Sequence, residues 1–110
     1  MSHRVEITEP AKRDADAIYD WLYGRSPDGA LRWWQVFLTT LEELKHNPIG
    51  YATAPESNVF DEPVLQLQFK TRRGRRYRAF FIVRNNVVYV LRVRGGGQDL
   101  ISHADIEMPK

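Results

Sequence analysis

YRAFFIVRNNVVYVLRVR, residues 77–94, reads as two strands joined by a turn. Tyr77, Ala79, Phe81 and Val83 alternate with their neighbours before the Asn85-Asn86 pair, and Val87, Tyr89, Leu91 and Val93 alternate after it. That period of two belongs to strands with one buried face. The preceding stretch VLQLQF, residues 64–69, places Leu65, Leu67 and Phe69 on one side and Gln66 and Gln68 on the other. Three such strands in succession form an antiparallel meander, and their odd-numbered residues are expected to face the core.

The turn at Arg84-Asn85-Asn86 decides which residues stand opposite each other. A two-residue loop would pair Arg84 with Val87 and set odd residues beside even ones. A three-residue loop, closed by Asn86 in the left-handed conformation, would pair Val83 with Val87 and keep the odd residues together, so burial favours it. On the other face this register predicts Arg78 opposite Arg92 and Arg76 opposite Arg94, with Phe80 against Val90 and Ile82 against Val88. Like charges directly opposite cost up to about 1 kcal/mol per pair. A face that carries two such pairs suits an anion better than bare water. Phe80, Ile82, Val88 and Val90 on that face are too apolar to be left uncovered. Either residues 98–108 fold across them through Leu100, Ile101 and Ile106, or a partner does.

Upstream, Val5 and Ile7 flank Glu6 in a short opening strand over His3–Ile7. Thr8 is placed to cap a helix, Glu9 and Pro10 suit its first turn, and Ala11, Ala15, Ile18 and Leu22 recur at helical spacing to an end near Gly24. Ser26-Pro27 restarts the chain as a second helix, with Ala30, Trp33, Trp34, Phe37, Leu41 and Leu44 as its apolar stripe down to Asn47-Pro48. So short a link makes the two helices an antiparallel hairpin. Residues 48–62 read as loop, with Val59-Phe60 adding a few extended positions. The fold class expected is α+β: an N-terminal strand, then an antiparallel helix hairpin packed on a mainly antiparallel sheet that ends in a three-stranded meander. At 110 residues the chain is expected to be one domain, 1–110.

Composition narrows the function classes. There is no cysteine, so neither a disulfide framework nor a thiolate metal site is open to this chain. No histidine and carboxylate spacing suggests a metal site, and no cofactor is expected. The opening MSHRVEITEP has no apolar run and no stretch approaches a membrane span, so a cytoplasmic protein without membrane association is predicted. The net charge of +2 conceals a polar arrangement. Residues 1–63 hold 11 acids and 6 bases, residues 64–94 hold 9 bases and no acid, and residues 95–110 hold 3 acids and 1 base. Phosphates or an acidic protein segment are the natural partners of so dense a basic segment.

Taken together, VEITEPAKRDADAIYDWL at the start, Leu44 and Pro48 closing the second helix, YRAFFIV in the middle and VVYVLRVRGGGQD near the end resemble the RelE/ParE superfamily of toxins from type II toxin–antitoxin modules. The resemblance runs from Val5 to about Asp99 and is closer to the ParE-like, plasmid-stabilisation branch. It implies a toxin that either cuts messenger RNA on the ribosome or, in the ParE branch, inhibits DNA gyrase. It also implies a cognate antitoxin whose acidic carboxyl-terminal half wraps and neutralises it.

The nuclease branch needs groups to activate a 2′-hydroxyl, stabilise phosphate charge and protonate the leaving oxygen. Arg78 matches the position of the phosphate-stabilising arginine of RelE-type nucleases. Their second basic residue follows the last strand, where this chain has Gly95-Gly96-Gly97, and their terminal tyrosine has no match in QDLISHADI. An altered nuclease site would have to be built from Arg78, Arg94 and His103. Tyr77 points into the core and is structural. Lys70, Arg72, Arg73, Arg76, Arg78, Arg92 and Arg94 are the candidates for holding an anion or an antitoxin. The plain alternative for TRRGRR, residues 71–76, is a solvated hairpin tip with Gly74 in its turn.

Trp33 and Trp34 lie about 100 degrees apart on a helix, so one is expected inside and the other at an edge. With Phe80, Ile82, Val88 and Val90 they are the candidate antitoxin contacts. Three functions follow, in order of expectation. The first is a ParE-like gyrase inhibitor, the second a RelE-like ribosome-dependent mRNA interferase with an altered site, and the third a decayed non-toxic relative that retains antitoxin or RNA binding.

Overall fold

The computed structural model describes residues 2–95 and 103–109, with His103 described by its backbone alone. β1 (Arg4–Ile7) leads through Thr8 into α1 (Glu9–Arg25). Thr8 does three jobs in this corner. Its backbone N–H donates to the Val90 carbonyl, its hydroxyl donates to the same carbonyl at 2.8 Å, and the hydroxyl oxygen accepts the Ala11 N–H at the helix start. Glu9 and Pro10 occupy the first turn, as the sequence predicts.

Ser26 ends one helix and begins the next. Its N–H donates to the Leu22 carbonyl, closing α1, while its Oγ accepts the Gly29 N–H at 3.0 Å and opens α2 (Pro27–His46). A single residue thereby satisfies end groups of both helices, and the hairpin follows from it. Ala11 and Ala15 of α1 and Trp33, Phe37, Leu41 and Leu44 of α2 are buried with the sheet in one core, and Ala30 is buried as well.

Two short 3-10 turns, Pro48–Gly50 and Pro55–Val59, fill the stretch expected to be loop. Val59 closes the second turn rather than starting an extended segment. The sheet then runs through β2 (Leu65–Phe69), β3 (Tyr77–Arg84) and β4 (Val87–Gly95) in the spatial order β1-β4-β3-β2. β1 lies parallel to β4 and the other pairs are antiparallel.

The turn between β3 and β4 corrects the expected register. Arg84 pairs with Val87, so the loop has two residues, and Asn85 rather than Asn86 takes the positive φ of 56°. Asparagine tolerates that conformation, and a two-residue loop matches the twist of the strands. Val83 therefore meets Val88 and Phe81 meets Val90. An irregularity at Phe80/Phe81 lets β4 insert Leu91, after which Phe80 faces Arg92, Ala79 faces Val93 and Arg78 faces Arg94. One extra residue in a bulge flips the alternation of its strand. The helix-facing residues of β4 are thus Val88, Val90 and Val93, not the odd-numbered series throughout. None of the four expected pairs forms: Arg94 faces Arg78 rather than Arg76, Arg92 faces Phe80 rather than Arg78, and Val88 and Val90 lie on the opposite face from Phe80 and Ile82.

The outer face of the sheet carries a second, smaller core. Phe80, Ile82 and Leu91 are covered by Ala54, Val64 and Ile106, with Phe60, Tyr89 and Met108 at its margin. Part of the carboxyl-terminal segment does fold across this face, through Ile106 and Met108. Leu100 and Ile101, the other expected contacts, lie outside the described residues.

Candidate binding surface

The arginines of the outer face do not stand free. Arg78 of β3 donates from both terminal nitrogens to Glu56, at 3.2 and 3.0 Å, and from Nη1 to Gln66 Oε1 at 3.2 Å. Its guanidinium also lies 4.6 Å from the centre of the Phe80 ring. Glu56 comes from the 3-10 turn Pro55–Val59, and its side chain is only 4% exposed, against 17% for Arg78. A carboxylate so far removed from water is stable there because a guanidinium answers it.

Arg92 is held in the same way by the first helix. Asp14 accepts from Arg92 Nε at 2.7 Å and Nη2 at 2.8 Å, and its Oδ2 also accepts the Val93 N–H at 2.9 Å. β1 stops pairing with β4 at Val90, so the Val93 N–H lies beyond the end of that ladder and Asp14 takes the place of a strand. The hydrogen bonds that Arg92 donates to Asp14 hold its guanidinium above its usual pKa, against the opposing effect of burial. Arg92 Nη1 further donates to the Asp105 carbonyl at 2.7 Å, and Arg94 Nη2 lies 3.6 Å from the Asp105 carboxylate. Arg84 donates to both oxygens of Glu62 at 2.9 and 2.7 Å, and to the Pro109 carbonyl. Arg78 and Arg94 can stand opposite each other because each faces a carboxylate of its own.

The cations proposed from sequence for anion binding therefore fall into two groups. Arg78, Arg92 and Arg94 are partly buried and matched by acids of the chain itself. Lys70, Arg72 and Arg73 are exposed in the loop between β2 and β3, as is Arg76, which donates to Gln68 Oε1. The matching acids Asp14, Glu56 and Glu62 were not singled out in the sequence. Their one sequence signal is the acidic excess of residues 1–63. His103 opens the short turn His103–Asp105, whose last residue faces Arg94 and Arg92. Tyr77 is buried, and its burial raises the pKa of its hydroxyl.

Of the apolar candidates, Phe80, Ile82, Val88 and Val90 are all 0% exposed, covered by the chain's own residues. Trp33 is likewise inside, stacked on Phe37 with ring centres 5.3 Å apart. Trp34 lies at the hairpin edge, with the Tyr19 ring edge-on at 5.7 Å. Asp16, Tyr19, Leu31 and Trp34 line a shallow hollow of about 250 Å³ between the helices, and Leu31 and Leu38 stand exposed on the same helix. Among the described residues no group of three or more histidines or acids could hold a metal ion, and no helix is long and apolar enough to cross a membrane.

Comparison with known proteins agrees with this architecture. A search of curated proteins finds no match. Among solved structures, a chain of the chromosomal ParDE TA system from P. aeruginosa superposes with a TM-score of 0.65 at 25% identity, over 86% of this chain and 96% of that one. The profile of the ParE toxin of the type II toxin–antitoxin system parDE matches residues 5–100. A strand, a capped helix hairpin and a bulged, arginine-clasped meander thus make up a chain that belongs to the ParE toxin family of type II toxin–antitoxin systems.

Proposed function

We propose that this ParE-family toxin acts by binding rather than by breaking bonds, with DNA gyrase as its target, and that an antitoxin with an acidic carboxyl-terminal half neutralises it. The observation that carries the first part is the condition of Arg78. A nuclease of this superfamily would use that guanidinium to stabilise charge on a phosphate, and such stabilisation needs donors aimed at the place where charge develops. Arg78 instead gives both terminal nitrogens to a Glu56 carboxylate that is nearly sealed from water. A phosphate would have to take that guanidinium from a carboxylate only 4% exposed to water, a cost that a site built for phosphate would not carry. Arg94, the second candidate, faces Asp105. The antitoxin half of the reading rests on the hollow beside Trp34, which offers an aromatic edge and exposed leucines where the strand face is already covered.

The test measures both activities, one with purified protein and one in cells after induction. The toxin is expected to inhibit gyrase supercoiling and to leave the 5′ ends of messages unchanged after brief induction. Codon-linked cuts that vanish in Arg78→Ala would overturn the reading in favour of an interferase. Supercoiling at the normal rate at saturating toxin would remove gyrase as the target.

A further inference from the structure

Three parts of the chain meet at one end of the molecule: the end of α1, the start of α2, and the loop that joins β2 to β3. The loop reads KTRRGRR, residues 70–76, without one apolar side chain. Lys70, Arg72, Arg73 and Arg75 are exposed on it, and Arg25 and Arg32 are exposed on the helices beside it. Among the described residues none of these six forms an ion pair with a carboxylate, unlike Arg78, Arg84, Arg92 and Arg94. The charge of the basic segment is therefore spent internally on the sheet and left outward at this end.

The ridge is also shaped and partly preorganised. Its tip is tight: the Gly74 N–H donates to the Thr71 carbonyl, and a Cβ at Gly74 would run into Thr71 Oγ1. Concavities of about 480 and 500 Å³ share Arg32, Thr71 and Arg72 as lining and so adjoin along the loop. On the other flank Trp21, 45% exposed, carries Arg25 at 4.1 Å and Arg75 at 5.2 Å from its ring centre. A guanidinium resting on an indole keeps its in-plane N–H groups free, which suits bidentate contact with phosphate oxygens.

We propose that this ridge docks the phosphodiester backbone of duplex DNA, without reading its bases. An acidic protein segment is the competing partner of the same charge. A protein interface, however, needs a desolvated apolar or aromatic centre, and the crest of this loop has none. Phosphates spaced along a helix ask only for cations distributed over a surface. The choice of DNA over another polyphosphate rests on the proposed action at gyrase, whose substrate would pass beside a bound toxin.

The purified full-length toxin is titrated, without gyrase, against a labelled DNA duplex of mixed sequence by fluorescence anisotropy. If the ridge meets about four phosphates, affinity should fall roughly a hundredfold between about 50 and about 200 mM salt. The variant Arg72→Gln/Arg73→Gln/Arg75→Gln should lose about 2.7 from the magnitude of the log–log salt slope. The matching triple lysine variant should keep the slope, and Arg4→Gln, in β1 beside the opposite end of β4, should be neutral. A slope unchanged in the glutamine variant would overturn the proposal, as would an equal loss in Arg4→Gln. An RNA duplex bound at least tenfold more tightly would overturn the choice of DNA, and polyglutamate bound as tightly as DNA would assign the ridge to an acidic protein. Gyrase inhibition with no DNA binding would sink this inference alone, whereas DNA binding without gyrase inhibition would sink the functional reading alone.

Discussion

Replacing Glu56 by alanine tests whether the outer face is held by an internal ion pair or merely decorated by one. Glu56 accepts two hydrogen bonds from Arg78 at 3.0 and 3.2 Å, in surroundings that leave its side chain 4% exposed. The variant strands a guanidinium that keeps Gln66 as a neutral partner and 17% exposure to water. Breaking a buried pair by removing one partner costs about 3–5 kcal/mol, and the remaining partner and solvent contact bring the expectation to about 2–3 kcal/mol. With a urea slope of about 2 kcal/mol/M for a domain of this size, the unfolding midpoint should drop by about 1–1.5 M. The double variant Glu56→Met/Arg78→Met should recover most of the loss, because a packed apolar pair carries no desolvation penalty. The same release of Arg78 should strengthen binding of a short polyphosphate to the folded protein, measured by titration at low temperature and without denaturant. A midpoint shift under about 0.3 M together with unchanged polyphosphate affinity would show that water, not Glu56, satisfies Arg78. The argument against phosphate chemistry at Arg78 would then fail as well.

Other consequences are equally direct. Asp14→Ala removes the acceptor of both Arg92 and the Val93 N–H. It should cost about 2–4 kcal/mol in a denaturant titration, with faster amide exchange at Val93 as the local sign. Hydrogen bonding from Arg84 holds the Glu62 carboxyl below its usual pKa, against the opposing effect of burial. Its contribution to stability is fully present above the unfolded-chain value of about 4.3 and is lost as pH falls through the lower folded value. Unfolding midpoints of wild type and Glu62→Gln should therefore differ at neutral pH and converge in acid. Trp33→Ala should destabilise the fold by about 3–5 kcal/mol in the same titration. Trp34→Ala should cost less stability but about 2 kcal/mol or more of antitoxin affinity by calorimetry.

Local chemistry made much of this protein legible. Thr8, Ser26 and Pro27 mark the helix ends because a cap is satisfied by neighbours three or four residues away. The tryptophan pair sorted correctly because a helix turns by a known angle per residue, with Trp33 inside and Trp34 at the edge. The three meander strands fall where alternation places them. The loop over residues 48–62 was harder, since a 3-10 turn has neither period to detect.

The basic face shows the limit most clearly. Arg76, Arg78, Arg92 and Arg94 looked alike in sequence, one alternating series with no acid near it. In the fold, Glu56 arrives from a turn 22 residues upstream of Arg78 and Asp14 from a helix 78 residues before Arg92, and these contacts separate structural cations from available ones.

What the sequence by itself determined is the two helices and four strands, their order, and the buried faces of the helices, β2 and β3, since each follows from caps, periods and turn residues acting within a few positions. Tertiary structure alone decided the register of β4 and the state of each arginine. A two-residue turn suits strand twist and a three-residue turn suits alternation, and a bulge at Leu91 accommodated both by shifting β4 between its two neighbours, β1 and β3. Charge obeys the same rule, because an ion pair depends on distance in space, and sequence separation says nothing about which carboxylate the fold will bring within 3 Å of a guanidinium.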